Sequence, residues 1–136
     1  SLLIGLTASI LAISFIQENL TYIDDRSIAS VPAVAVGILI IPLFDTLRVF
    51  TLRVLKGRSP FSPDRTHIHH LLIDLGLSHL QATGVLGAIN LLFIGIVFNL
   101  QALGTIELGA VVLVLAATLT MLVELILRQK RKRENA

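Results

Sequence analysis

Two apolar runs, Ala82–Leu100 and Thr105–Leu127, constrain this chain more than any other feature, because their length is set by a solvent other than water. A helix needs about 20 apolar residues to cross roughly 30 Å of hydrocarbon. Both runs meet that length, and Glu107 and Glu124 are the only charged residues within them. Composition agrees. A hydrophobic fraction of 54%, a charged fraction of 15% and a mean hydropathy of +0.86 lie outside the range of soluble domains. Length alone suggests one domain, with lipid rather than a large aqueous core covering most of the apolar surface. The absence of cysteine excludes disulfides and thiolate metal sites and says nothing about compartment. Ser1 opens directly into an apolar run with no basic n-region and no initiator Met, which reads as a fragment rather than a signal peptide.

Two shorter spans complete the set. Residues 31–44 form one, extending as a helix into Asp45–Leu55, where Arg48 and Arg53 interrupt the apolar residues as snorkelling arginines would near headgroups. Residues 2–16 form the other. The expected fold class is therefore all-α, a polytopic integral membrane protein with about four transmembrane helices.

Net charge is only +2, but its distribution orients the spans. Arg48, Arg53, Lys56, Arg58 and Arg65 fall in the loop of about 45–81, and Arg128, Lys130, Arg131, Lys132 and Arg133 fall in the tail 128–136. Lys and Arg accumulate on the cytoplasmic side of short loops, so both blocks, and the N-terminus, are expected there. Residues 17–30, with Glu18, Asp24, Asp25 and Arg26, and the uncharged 99–104 are expected outside. Basic blocks that abut apolar spans also argue against nucleic acid as a partner. The tail reads as a membrane-surface anchor, and Asp24–Asp25 as a solvated outer loop.

Between Gly57 and Thr66, Gly57, Pro60 and Pro63 predict irregular backbone. Asp64 or Thr66 can cap a short helix from His67 to Leu75 ending near Gly76, and Ser78 can cap the next span. That short helix carries the sharpest local feature, His67, His69 and His70. On a helix His67 and His70 share a face; in an extended chain His67 and His69 do. Three readings compete. Imidazoles suit a metal, but no Cys, no Glu at zincin spacing and no second His cluster accompanies them. They also suit an interfacial loop that meets headgroups. The favoured reading is a phosphate site in which the histidines, Arg65, Arg58 and Lys56 converge on a phosphoanhydride, since imidazole donates hydrogen bonds and guanidinium clamps phosphate oxygens.

Asp45 divides evenly between a local pair with Arg48 and a functional role, either orienting a basic group or contributing to a magnesium site. No other residue is a catalytic candidate. Asn90, mid-span, is expected to bond a neighbouring helix; Gly84, Gly87 and Gly95 to allow close helix packing; Glu124 to pair with Arg128 at the helix end.

The run Pro42-Leu43-Phe44-Asp45-Thr46-Leu47-Arg48-Val49, then Arg58-Ser59-Pro60-Phe61, Asp64-Arg65 and His67-Ile68-His69-His70-Leu71-Leu72, resembles the bacterial polyprenyl-phosphate N-acetylhexosamine-1-phosphate transferases, a glycosyltransferase family 4 group. Ser1-Leu2-Leu3-Ile4-Gly5 also looks like the segment following a Gly-Asp-Ala-Gly motif in these enzymes, so the resemblance covers the C-terminal part of a usual member. It implies phosphoglycosyl transfer from a UDP-N-acetylhexosamine to a polyprenyl (undecaprenyl) phosphate, releasing UMP and initiating cell-envelope polysaccharide synthesis such as lipopolysaccharide or teichoic acid. It further implies Mg2+, whose principal ligands are expected before Ser1, so independent catalysis by this segment is not expected and no metal ligand is assigned within it. Diphosphate or nucleotide binding is assigned to His67, His69 and His70, with Arg65 and Arg58. A multi-pass inner-membrane location and a homo-oligomer are compatible with this reading. The rivals are a histidine-metal membrane enzyme and a non-catalytic assembly subunit with a headgroup-binding loop.

Overall fold

A computed structural model describes residues 2–21, 27–59 and 67–134. Among them all regular structure is helical: α1 (Leu2–Thr21), α2 (Val31–Ile38), α3 (Ile40–Leu55), α4 (Ile68–Asp74), α5 (His79–Asn99), a 3-10 turn (Gln101–Leu103) and α6 (Thr105–Glu134). Helices α1, α5 and α6 are each long and apolar enough to cross a bilayer, and α2 with α3 makes a bent fourth unit. The core is small: Val34, Ile40, Phe93, Val97, Leu108, Val112 and Ala116 pack between α2, α3, α5 and α6. Leucines and isoleucines cover the outside instead, with no buried residue in α1. An exposed apolar surface of that extent belongs against lipid or further apolar helices, and with spans of this length and hydropathy the chain is an all-α polytopic membrane protein.

The segment read as one span over 31–44 is divided at Leu39, where α2 and α3 meet at 77°. Proline explains the position. Pro42 has no N–H, so it cannot bond the carbonyl four residues earlier, and its ring crowds that carbonyl. The carbonyl is that of Ile38, and Asn90 Nδ2 of α5 donates to it at 3.1 Å. Asn90 thus bonds a neighbouring helix, as expected, at the place where the ladder is broken. Leu39 N–H still reaches Val36 O at 3.1 Å, a tightened last turn.

Close packing rests on a different glycine from those expected. A Cβ on Gly37 would overlap the Val97 side chain, so the absence of one lets α2 and α5 approach; around Gly84, Gly87 and Gly95 space is open. The caps follow the sequence. Ser78 Oγ accepts from Gln81 N–H at 3.3 Å and Gln81 Oε1 from Ser78 N–H at 2.9 Å, a capping box for α5. Helices α3 and α4 end in Schellman motifs at Gly57 (φ 65°) and Gly76 (φ 103°). Arg58 N–H bonds Arg53 O at 2.9 Å and Leu77 N–H bonds Leu72 O at 3.2 Å.

At one end of the bundle, Asn19 Oδ1 accepts from Ile28 N–H and its Nδ2 donates to Ile28 O, both at 2.9 Å. Gln101 Oε1 accepts from Ala29 N–H at 3.0 Å, which brings the two connections expected on one side together. Asp24 and Asp25 lie outside the described residues.

Replacing Asn90 with Leu keeps the branching of the side chain and orphans the Ile38 carbonyl. Asn90→Leu is expected to cost about 1–2 kcal/mol, read as a lower Tm in detergent, whereas Gly87→Ala and Gly95→Ala leave Tm unchanged.

Candidate functional site

The bend carries α3 away from the axis of α2 and sets Asp45, one turn past Ile41, beside the start of α4. Its carboxylate serves two groups there. Oδ1 accepts the Ile68 N–H at 3.0 Å, and Oδ2 lies 3.0 Å from His67 Nδ1. His67, with φ −61° and ψ 146°, is the N-cap residue of α4 but gives no side-chain cap of its own. A helix start leaves its first amides without partners, and here an acid from another helix takes one of them. The expected caps, Asp64 and Thr66, lie outside the described residues; the cap position itself falls at His67.

Facing a carboxylate oxygen, His67 Nδ1 must be the donor, which leaves Nε2 on the opposite ring edge for another partner. The His67 side chain is 41% exposed and that of Asp45 only 16%, so the acid is sheltered and the imidazole is presented. Arg48 Nη1 lies 3.7 Å from Asp45 Oδ1, the expected i,i+3 pair. Its other terminal nitrogen, Nη2, donates to Glu124 Oε1 of α6. Glu124 Oε2 stands 3.7 Å from Arg128. The expected Glu124–Arg128 helix-end pair therefore exists, but it is the outer edge of a network that crosses three helices.

His69 and His70, both half-buried, lie next to each other on α4 with ring centroids 5.9 Å apart and planes at 74°. The Gly76 stop and the Ser78 start fold α5 back against α4, placing His79 5.7 Å from His69 with rings tilted by 32°. His79 escaped the sequence reading. The paired stop and start signals, separated by one residue, were its detectable sign. His67 turns to Asp45 while His69 pairs with His70 and His79, so neither the helical nor the extended grouping of the three original histidines describes them.

Arg58 sits past the end of α3, exposed, and the structure does not bring it to the Asp45–His67 pair. Arg65 lies outside the described residues. Among the described residues no three His, Asp or Glu side chains are grouped to hold a metal ion. Asp45 gives one oxygen to an amide and the other to an imidazole. The basic tail, expected as a surface anchor, also makes contacts within the fold: Arg131 Nη2 bonds Asp74 Oδ2 at 2.9 Å and Lys130 Nζ donates to Asp74 O at 3.2 Å. Chemically, the assembly offers several imidazoles on and beside one short helix, one of them with its ring direction fixed by a carboxylate.

No family model matches the chain, and no solved structure matches it. Its relatives among characterised sequences are consistent in kind. It is 32% identical to a decaprenyl-phosphate N-acetylglucosaminephosphotransferase of Mycobacterium leprae over an alignment taking in 99% of this chain and 34% of that protein. It is 42% identical to an undecaprenyl-phosphate alpha-N-acetylglucosaminyl 1-phosphate transferase of Yersinia pestis over 60% of this chain and 20% of that protein. Against the protein of the same name in Escherichia coli K12, identity is 49% over 38% of this chain and 14% of the relative. The chain thus spans about a third or less of the length of each. Similarity that runs from end to end of this chain in one relative and sharpens over shorter stretches in the others establishes its kinship: it belongs to the polyprenyl-phosphate N-acetylglucosamine-1-phosphate transferase family.

Proposed function

We propose that this chain supplies the histidine site of a membrane phosphoglycosyltransferase. The reaction passes N-acetylhexosamine 1-phosphate from a UDP-sugar to polyprenyl phosphate at the cytoplasmic face of the inner membrane, and so initiates a cell-envelope polysaccharide. In it a phosphate oxygen of the lipid attacks the sugar-bearing phosphorus of the nucleotide, the bond from that phosphorus to the bridging oxygen breaks, and UMP leaves with that oxygen. Such a transfer is largely a matter of position and of charge on the phosphoryl oxygens.

One observation carries the reading. Asp45 holds both His67 Nδ1 and the first amide of the histidine helix, so the direction in which His67 Nε2 faces is fixed before any substrate arrives, and that nitrogen donates to a phosphate oxygen when the ring carries both protons. His69 and His70 follow on the same helix, and Arg65, two residues before His67 in sequence, is assigned with them to the phosphate. Asp45 is then a positioning residue, deepening one of its two sequence readings. Mg2+ belongs to the proposal as the ion that would balance diphosphate charge, held by side chains other than those described, and no step here runs through it.

Three outcomes test this in the full-length protein. His69→Ala is expected to reduce exchange of labelled UMP into UDP-N-acetylglucosamine by about 100-fold, the lower range for loss of a positioned proton-handling group; unchanged exchange would remove the histidine from the site. Asp45→Asn keeps the size of the side chain and loses the charge that orients His67. Its exchange rate should fall at least about tenfold, in the range for an ion-assisted hydrogen bond, with the protein still folded by circular dichroism. A single thiol introduced by Lys56→Cys, in a background otherwise free of cysteine, should react with a membrane-impermeant reagent only after the cells are opened. Labelling in intact cells would put the site on the wrong side.

A further inference from the structure

We infer that Glu124 and Arg131, on the last turns of α6, position the histidine helix from both of its ends; the inference rests on the transfer function proposed above. Helix α6 has 30 residues, about 45 Å at 1.5 Å per residue, whereas the hydrocarbon core is roughly 30 Å thick. About ten residues therefore project beyond it. The packing face of the span continues into that projection. Leu108, Val112, Ala116 and Thr120 are buried at intervals of four, Leu127 is buried further on, and Glu124 and Arg131 fall on the same stripe.

Helix α4 is seven residues long, well below the length at which a helix holds itself in water, so its direction must be imposed by its neighbours. At its first residue the restraint is Asp45, which is tied through Arg48 to Glu124. At its last residue, Asp74, the restraint is Arg131 on the carboxylate and Lys130 on the carbonyl. A cation on a terminal carbonyl also satisfies one of the acceptors that a helix end leaves open. Both ends of α4 thus lead to one rigid rod, and His69 and His70 lie between them.

The two tethers differ in shelter. The side chains of Arg131 and Asp74 are 61% and 48% exposed, and a pair so open adds little to stability. Arg48 is 11% exposed and Glu124 29%, so that link is stiffer. A tether of this kind shows in the alignment of the histidines with substrate before it shows in unfolding.

In the full-length enzyme, Arg131→Asp and Asp74→Arg are each expected to raise KM for the sugar nucleotide about threefold to fivefold with Tm unchanged. The double variant Asp74→Arg/Arg131→Asp, which restores opposite charges, should return KM to within about twofold of the parent. Glu124→Gln should lower kcat/KM about tenfold at temperatures well below its Tm, where the protein is fully folded. Full activity in both Glu124→Gln and Arg131→Asp, failure of the charge exchange to rescue, or losses that follow a lowered Tm would each overturn the inference. Full activity in these variants beside an inactive His69→Ala would leave the transfer function standing. An active His69→Ala would instead bring down the function itself.

Discussion

A missing amide hydrogen organises this molecule. Because Pro42 cannot donate to Ile38, the helix that starts at Val31 has to end one turn before the proline or leave a carbonyl bare in an apolar setting, and a bare carbonyl there costs several kcal/mol. The chain bends at Leu39 and Asn90 supplies the lost donor. Everything at the histidine end depends on that bend, since a straight continuation of α2 would carry Asp45 and Arg48 along the bundle axis instead of out toward α4. The apolar packing of Gly37 against Val97 fixes the other half of the angle by letting α2 lie close to α5.

Once the bend is made, one carboxylate sets the local order. Asp45 takes an amide, an imidazole and, more loosely, a guanidinium, and its oxygens are then committed. The structure shows the local Arg48 pair and, beside it, contacts to a second helix, so the carboxylate holds several neighbours in place at once. The Arg48–Glu124 link works in the same sense, because it ties the acid's own neighbour to the long helix α6.

Legibility followed range. The spans were legible because bilayer thickness dictates a length, and Ala82–Leu100 and Thr105–Leu127 announce it without help from tertiary contacts. The caps at Ser78 and Gly76 were legible because they are governed by neighbours within a few residues, and the stop at the end of α3 obeys the same rule at Gly57. The bend was not legible because a proline acts four residues upstream and its compensating donor, Asn90, is 52 residues away. Glu124 was read as a partner of Arg128 because that residue is near in sequence, whereas Arg48, 76 residues away, is the partner that crosses the fold. Glycine misled for a related reason. Gly84, Gly87 and Gly95 permit close approach, but permission is local and the approaching helix is not, and Gly37 is where one arrives. His79 was hidden by the same limit, since only the folded α4–α5 turn brings it to His69.

The energetics of the network argue about its purpose. Asp45, Arg48 and Glu124 are sheltered at the edge of a chain whose remaining surface is made for lipid. Taking charges out of water costs several kcal/mol per ion, and well-packed apolar side chains in their place are often as stable or more so. Stability therefore does not account for a cross-helix ionic network here. Direction does. A hydrophobic contact can hold α4 near the bundle but leaves its rotation soft, whereas a carboxylate bound to an amide and a ring nitrogen at once fixes both the helix start and the plane of an imidazole. A site that has to present a ring nitrogen in one direction gains from that constraint.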